Sequence, residues 1–188
     1  MRHLLYGIFV SAFFALVYGV TFRVQFLLLT DLNHVQGISW FFLPAGIKLL
    51  AFMVGGWWGL LGVAFTGAVT ADEVWGGLWL EHLGNALVWA LVPFVVYRSL
   101  VKVLRIDPDF LTLTYYKVII IALVVALVSS VSSVLYYSAV GNRTTDNMVA
   151  DAMAMALGDF MGMTFVLSVC VFALRWVVRR QPNTRGDL

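Results

Sequence analysis

The stretch FFLPAGIKLLAFMVGGWWGLLGVAFTG, residues 41–67, decides the fold class of this 188-residue chain. It is apolar enough for the interior of a lipid bilayer, yet it contains a proline, a lysine and six glycines. A lysine in the middle of a bilayer costs about 3 kcal/mol or more unless it finds a carboxylate or water, and a proline breaks a helix anywhere but near its start. The rest of the sequence therefore has to supply a helix start for the proline and a partner for the lysine.

The composition places the whole chain in a membrane. Hydrophobic residues make up 62% of the sequence and charged residues 12%, with a mean hydropathy of +0.93, whereas soluble domains are about 45–50% apolar and about 25% charged. A spanning helix needs about 20 apolar residues. The sequence predicts about six such helices, near residues 4–22 (or on to Leu29), 38–54, 56–71, 80–100, 116–138 and 150–176. We therefore expect an all-α, polytopic bundle in which residues 1–180 form a single transmembrane domain and residues 181–188 a short disordered cytoplasmic tail.

The distribution of basic residues predicts the orientation of this bundle. With six helices, nine of the twelve lysines and arginines fall on one side of the membrane: Arg2, Arg98, Lys102, Arg105, Lys117, Arg175, Arg179, Arg180 and Arg185. The opposite loops carry Asp31, Asp72, Glu73 and Asp146 against the single basic residue Arg143. Because cytoplasmic loops are enriched in lysine and arginine, both termini are expected in the cytoplasm.

The sequence lacks the motifs of catalysis and of metal binding. It has no Gly-rich phosphate loop, no nucleophile elbow and no H-E-x-x-H, and its single cysteine, Cys170, excludes an intrachain disulfide. Five of the seven methionines lie between residues 148 and 163, but the two members of a Met-x-Met pair diverge by about 200° on a helix and cannot hold one copper ion. We expect no enzymatic activity, no cofactor, no metal site and no nucleic-acid partner. The lipid bilayer is the expected surrounding.

Lys48 and Asp159 are predicted to be partners near the centre of the bilayer. Lys48 lies about ten residues from the outer end of its predicted helix and Asp159 about nine residues from the outer end of the last one, which at 1.5 Å per residue places both at similar depth. A buried structural ion pair that fixes helix packing fits this placement. A ligand site that opens toward the outer side fits it equally well.

Other residues are candidates for the same polar core. The complete set of candidate ligand-binding or polar-core residues is Pro44, Gly46, Lys48, Glu81, His82, Asn85, Asp151 and Asp159. Pro44 suits either a helix start or a partly unwound segment that exposes its backbone to a ligand, and Gly46 permits close helix packing. Asn85 lies below the outer interface on a helix that runs in the same direction as that of Asp159.

Three of these candidates have competing interpretations. Glu81 and His82 are adjacent and point about 100° apart on a helix, so at most one of them faces a given cavity. His82 suits either a packed or interfacial histidine or a pH-responsive one. Asp151 either extends a row of polar groups from Asp159 to the outer surface or interacts with the dipole of its own helix.

Three blocks of the sequence carry a resemblance to a known family. They are residues 41–67, quoted above, LGNALVWALVPFVVYRSLVKVLRIDP at 83–108, and ALGDFMGMTFVLSVCVFALRW at 156–176. In this order they resemble the bacterial MASE-type membrane-associated sensor family, type one, over roughly residues 36–176. Phe42 and Leu43 stand where family members usually have a Trp-Pro pair. Members commonly have about eight helices and end in a kinase, cyclase or phosphodiesterase, so this chain looks like a minimal, free-standing version.

The resemblance implies a sensory or regulatory module in the inner (cytoplasmic) membrane of a bacterium. Such a module would sense a small-molecule ligand or a partner at the periplasmic side or within the membrane, and act on a separate membrane or cytoplasmic signalling protein. Two other classes stay open on the residues alone. One is a small-solute transporter or substrate-capturing subunit, which six helices and mid-membrane charges also suit, and the other is a scaffold or assembly subunit of a larger membrane complex. A homo-oligomer is compatible with all three.

Overall fold

Five long helices and one small β-hairpin make up the computed structural model, which describes residues 2–28, 33–35, 38–75, 78–107, 112–140 and 147–180. The helices are α1 (Arg2–Leu28), α2 (Leu43–Trp75), α3 (Trp79–Val103), α4 (Tyr115–Val140) and α5 (Met148–Arg180). All five are long and apolar enough to cross a membrane. The prediction of a helical protein built from membrane-length apolar helices is confirmed. The predicted tail, residues 181–188, lies outside the described residues.

The described residues form five helical elements where six were predicted, because the stretches near 38–54 and 56–71 are assigned to one element, α2, which has a non-helical residue inside it. Gly56 interrupts this helix with φ of 54° and ψ of −127°. A methyl group on Gly59 would collide with the carbonyl oxygen of Ala51, although eight residues of straight helix would separate the two by about 12 Å. The chain therefore reverses at Gly56. Residues 43–55, the first arm of α2, and residues 57–75, the second arm, lie antiparallel.

Contacts with α1 are consistent with this reversal. The Ser11 hydroxyl donates a hydrogen bond to the carbonyl oxygen of Trp58 at 2.8 Å. Further along both segments, the Thr66 hydroxyl donates to the carbonyl oxygen of Ala15 at 3.0 Å. The second arm therefore runs parallel to α1, and the first arm runs against it.

Helices α2, α3, α4 and α5 form a ring in which each packs on its neighbours, and α1 packs against α2. The start of α3 lies beside the end of α4, where the Tyr136 hydroxyl donates to the carbonyl oxygen of Glu81 at 2.8 Å. The described start of α1 lies beside the Gly56 turn, because Gly7 packs against the Trp58 side chain. The start of α1, the Gly56 turn and the end of α3 therefore share one end of the bundle.

A short antiparallel hairpin joins α1 to α2. Its strands are β1 (Asn33–Val35) and β2 (Ile38–Ser39), with Asn33 opposite Ser39 and Val35 opposite Ile38. The helix predicted to begin at residue 38 therefore begins at Leu43, because the residues before it are paired as a strand. As a consequence Lys48 is the sixth residue of its helix and not about the tenth.

Gly56 provides a direct test of the chain reversal. Its backbone conformation is one that residues with a side chain adopt only at a cost of about 1–3 kcal/mol, and no atom lies within 4 Å of the position its Cβ would take. We expect Gly56→Ala to lower the free energy of unfolding in detergent by about that amount, through backbone strain alone. Val54→Ala, at a position that is 66% exposed, is the control and should change stability little. Equal stability of both variants would contradict the reversal.

The end of α3 carries an arginine where a glycine is usual. The Ile106 N–H donates to the Val101 carbonyl at 3.0 Å and the Arg105 N–H to the Lys102 carbonyl at 3.2 Å, which is the hydrogen-bond pattern of a Schellman cap. Arg105 has φ of 49°, a left-handed conformation that costs a residue with a side chain about 1–2 kcal/mol. The cap is therefore strained at this one residue.

Relief of this strain should stabilise the protein. We expect Arg105→Gly to raise the free energy of unfolding by about 0.5–1 kcal/mol, since part of the relief is offset by the greater entropy of glycine in the unfolded chain. Lys102→Gly, inside the same helix, should instead lower it by about 1 kcal/mol. Thermal unfolding of the two variants in one detergent measures both effects. A loss of stability in both would show that the left-handed residue is not strained.

Candidate functional site

The structure brings Lys48 and Asp159 together as a buried ion pair between α2 and α5. Lys48 Nζ lies 3.9 Å from Asp159 Oδ2, and the two side chains are 0% and 1% exposed. Breaking a buried pair by removing one partner leaves a charge without compensation, which typically costs about 3–5 kcal/mol. The pair therefore couples the position of the first arm of α2 to that of α5.

Lys48 also contacts α3 and α4. Its ammonium group donates hydrogen bonds to the Trp89 carbonyl oxygen at 3.5 Å and to the Ser129 hydroxyl at 3.4 Å, and it lies 4.7 Å from the centroid of the Trp89 ring. Hydrogen bonds between charged groups are typically about 2.7–2.9 Å long, so all the polar contacts of this ammonium are long. The charge is shared among three helices, and no single acceptor holds it tightly.

Asp159 has unused capacity to accept hydrogen bonds. Neither carboxylate oxygen has a hydrogen-bond partner among the described residues, and the residue is fully buried. An ionised carboxylate offers about four acceptor positions, and a buried charge is stable only when it is paired and hydrogen-bonded. The Lys48 charge therefore offsets only part of the cost of burying Asp159.

Four aromatic side chains form a closed circuit beside the pair. Tyr18 contacts Trp89 at 5.4 Å between ring centroids, and Trp89 contacts Phe42, Phe42 contacts Phe22, and Phe22 contacts Tyr18, each at 6.3 Å. Trp89 is the member that contacts the ion pair, since Lys48 Nζ lies 4.7 Å from its ring centroid. Tyr18 and Phe22 lie on α1, Phe42 lies in the segment before α2, and Trp89 lies on α3. We call these four residues the aromatic circuit.

Further buried polar atoms extend from the pair toward the end of the bundle where α3 begins. Ser133 lies one helical turn from Ser129 on α4, and Asn85 lies one turn from Trp89 on α3. Asn85 Oδ1 and Ser133 Oγ are buried and have no hydrogen-bond partner among the residues that the structure describes. We call these residues the polar track: Ser129 and Ser133 on α4, and Asn85 and Trp89 on α3.

Pro44 and Gly46 lie where the first arm enters the bundle. Pro44 is fully buried and is the second residue of α2, so its missing N–H falls in the first turn, where a helix has no intrahelical acceptor for it. A methyl group on Gly46 would collide with the carbonyl oxygen of Gly162 on α5. Both residues therefore let the start of α2 pack directly on α5.

Two glycines of α5 receive the segment before α2. The Phe42 N–H donates to the Gly158 carbonyl at 3.0 Å. A methyl group on Gly158 would collide with the Ser39 carbonyl oxygen, and one on Gly162 with the Phe42 carbonyl oxygen. This contact was not predicted from the sequence, although the G-x-x-x-G spacing of residues 158–162 is the usual signal for close helix approach.

Gln25 is a second residue whose role was not predicted from the sequence. Its side chain is buried, its Oε1 accepts from the Leu43 N–H at 3.1 Å, and its Nε2 donates to the Phe41 carbonyl at 2.8 Å. Non-helical backbone at membrane depth is tolerated only where protein or water satisfies it, and Gln25 does this for the segment before α2. A glutamine within the apolar run VTFRVQFLLL, residues 20–29, was the available signal, since polar residues in such runs usually have a defined partner.

The remaining candidates lie toward the ends of their helices. His82 is buried, with its ring 6.3 Å from that of Trp79. The Glu81 carboxylate accepts from the Leu78 N–H at 3.4 Å and so caps the start of α3. Asp151 is half-buried in the first turn of α5, eight residues from Asp159. Along their helices these three residues lie about two turns from Trp89 or from Asp159.

Comparisons with known proteins do not assign the site. No family model, no curated protein and no solved structure matches this chain. Among the described residues, no group of three or more His, Cys, Asp or Glu side chains could hold a metal ion. The site consists of the Lys48 ammonium, whose hydrogen bonds are long, beside the Asp159 carboxylate, which accepts none from the described residues.

Proposed function

We propose that this protein is a sensory or regulatory module of the bacterial inner membrane that binds a small ligand at the Lys48–Asp159 pair. The observation that carries the proposal is the buried Asp159 carboxylate, whose oxygens accept no hydrogen bond from the described residues. An ionisable residue inside a membrane bundle is by default a candidate functional residue. The resemblance of three sequence blocks to MASE-type sensors favours sensing over other roles, by analogy.

The contacts of the pair suggest how binding would be transmitted. Lys48 connects the first arm of α2 to α3, α4 and α5, so a ligand that draws away either charge favours a different arrangement of these helices. The first arm continues into the Gly56 turn, at the end of the bundle where α1 begins. A movement of the first arm would therefore shift that end of the bundle, and a separate signalling protein bound there would respond to the shift.

The membrane topology is part of the same proposal. Since the two arms of α2 are antiparallel, we propose that each crosses the membrane separately, which gives six crossings and places both termini in the cytoplasm. The second arm has 19 residues and a length of about 28 Å, close to the hydrocarbon thickness of about 30 Å. The first arm is about 20 Å long, and the segment from Ser39 to Phe42 extends its path. The positive charges of Arg98, Lys102, Arg105 and Lys117 then mark the cytoplasmic end.

Reporter fusions test this topology. A reporter that is active only in the periplasm should be silent when fused after Leu188 or before Met1, because both termini are cytoplasmic in a six-crossing chain. Inserted between residues 141 and 146, the same reporter should be active. Five crossings would put the two termini on opposite sides, and activity at one terminus alone would therefore refute the proposal.

Ligand binding can be tested without knowing the ligand. Purified protein in detergent is screened by thermal shift against small amines, carboxylates, amides and polyols. We expect one class to raise the melting temperature of the parent protein and of Thr164→Val, whose hydroxyl bonds only its own helix among the described contacts. The same class should leave the double variant Lys48→Met/Asp159→Asn unchanged. If every class fails on the parent, or acts equally on the double variant, the pair is not a ligand site.

One observation favours a transporter as the second candidate. α2 is interrupted, and its first arm begins inside the bundle beside a buried charge, as discontinuous helices do in secondary transporters. Uptake into proteoliposomes separates the two functions. A sensor binds its ligand without accumulating it, whereas uptake that depends on Asp159 would replace the sensory proposal with transport.

A further inference from the structure

We infer that Asp159 and the aromatic circuit form a site for the ammonium group of a small organic amine, and that Lys48 is its tethered, exchangeable occupant. The inference rests on the ligand site proposed above and names the chemical class of its ligand. It also assigns Lys48 a role as competitor for that ligand.

The charge and hydrogen-bond capacity of Asp159 select a cationic donor. Both carboxylate oxygens are buried and accept no hydrogen bond from the described residues, and the Tyr18 hydroxyl, also buried, lacks a partner as well. An anion would be repelled by the carboxylate. A neutral donor would leave its charge without compensation, which is costly in a buried site. An ammonium group supplies both the charge and several N–H donors.

The aromatic circuit selects an organic ammonium over a metal cation. Aromatic faces attract cations, and several together are the usual recognition site for alkylammonium groups. Lys48 Nζ already lies 4.7 Å from the Trp89 ring centroid, so an ammonium occupies such a position in this structure. Trp89 is in turn part of the closed circuit with Tyr18 and two phenylalanines.

The occupant is held weakly enough to be exchanged. The Lys48 ammonium lies 3.9 Å from Asp159 Oδ2, and its two hydrogen bonds, of 3.4 and 3.5 Å, go to Ser129 and Trp89 and not to the carboxylate. A free amine that donates directly to Asp159 would make shorter bonds than this. The displaced ammonium would find acceptors in Asn85 Oδ1 and Ser133 Oγ of the polar track, which are unpartnered among the described residues.

Replacement of the Lys48 ammonium by a free amine at Asp159 would remove the ionic contact between α2 and α5. With an amine on Asp159, the first arm of α2 loses its ionic contact with α5 and keeps packing contacts such as that of Gly46 with Gly162. The ligand would therefore act by replacing an intramolecular partner. Its affinity for the parent protein would be lowered by the free energy of the contact it displaces.

Methylammonium chloride is the probe, titrated into the purified full chain in detergent against equal concentrations of sodium chloride. We expect Lys48→Met to bind methylammonium about a hundredfold more tightly than the parent protein, because the tethered competitor is gone. Its melting temperature should rise with methylammonium and not with sodium. Asp159→Asn and the double variant should show neither effect. Equal affinity in parent and Lys48→Met, binding to the double variant, or an equal response to sodium would each overturn the inference.

A second pair of variants covers the case in which Lys48→Met does not fold even with methylammonium present. High concentrations of methylammonium should shift the melting temperature of the parent protein, and Trp89→Leu should abolish that shift. Trp57→Leu, an exposed tryptophan, should keep it. No shift in the parent, or a shift that survives Trp89→Leu, would refute the ammonium site. If another solute class binds at the pair while amines do not, only this inference fails, and if no class binds, the proposed function fails with it.

Discussion

Lys48→Met and Asp159→Asn are each expected to lower the free energy of unfolding by about 3–5 kcal/mol, and the double variant should recover most of that loss. The reason is the burial of both side chains, which are 0% and 1% exposed. Either single substitution leaves one charge in the bundle without its partner, whereas the double variant leaves none. Reversible unfolding of the four proteins in one detergent gives the coupling energy directly.

The control for this double-mutant cycle is a pair of buried polar residues that carry no charge. Thr66→Val and Thr70→Val remove two buried hydroxyls whose hydrogen bonds go to backbone carbonyls of α1 and α2. Each should cost about 1 kcal/mol, with little coupling between them. If the losses at Lys48 and Asp159 simply added, the two charges would not stabilise one another, and Lys48 would have a different partner.

The pairing of Lys48 with Asp159 could be predicted from sequence because burial in a membrane bundle leaves few options for a charge. Two opposite charges at similar depth in separate apolar segments are one another's natural partners. Helix rise and bilayer thickness suffice for this prediction, which holds although α2 begins at Leu43 and not near residue 38. The structure shows in addition that the Lys48 ammonium also donates to Ser129 and Trp89, which sequence periodicity does not indicate.

The path of the chain around α2 was less accessible. The sequence predicted a break between the stretches 38–54 and 56–71, but not the single residue with positive φ that reverses the chain there, because periodicity carries no sign of φ. The hairpin before α2 was missed because strands of three and two residues are too short to show alternation. Gln25 was missed because its partners are backbone groups of residues 41 and 43, which no side-chain pattern encodes.

These unpredicted features explain how the site is held together. Lys48 can reach Asp159 because the first arm of α2 enters the bundle at Leu43, and it enters there because Gln25 satisfies the backbone before it. The two glycines of α5 then let this backbone approach closely. The charges were readable from the sequence, whereas the geometry that brings them within 4 Å depends on backbone contacts.

Gly162→Ala should therefore be among the most damaging substitutions that leave every polar group in place. The new methyl group would collide with the carbonyl oxygen of Phe42, and since that atom belongs to the backbone, no side-chain rotation relieves the overlap. We expect a loss of about 3 kcal/mol, at the upper end of the range for overpacked sites. Unfolding in detergent, monitored alongside the parent protein, measures it.

Gly19→Ala is the matched control, because it makes the same substitution inside another helix. Its methyl group would lie 3.3 Å from the Thr66 methyl carbon, a side-chain atom that can move, and the better helix propensity of alanine offsets the crowding by up to about 1 kcal/mol. Gly19→Ala should thus be close to neutral. If Gly162→Ala were equally neutral, the close approach of α5 to the segment before α2 would be refuted.

The two large effects are also linked through α5. Gly162 lies one turn from Asp159, so a methyl group that pushes α5 away from Phe42 also moves the carboxylate away from Lys48, which α3 and α4 hold from the other side. Electrostatic attraction falls with distance, most steeply where water is excluded. The Lys48–Asp159 cycle repeated in the Gly162→Ala background should therefore give a smaller coupling energy than in the parent, whereas the Gly19→Ala background should leave the coupling energy unchanged. An undiminished coupling in the Gly162→Ala background would mean that the ion pair keeps its geometry without the close contact between α5 and the start of α2.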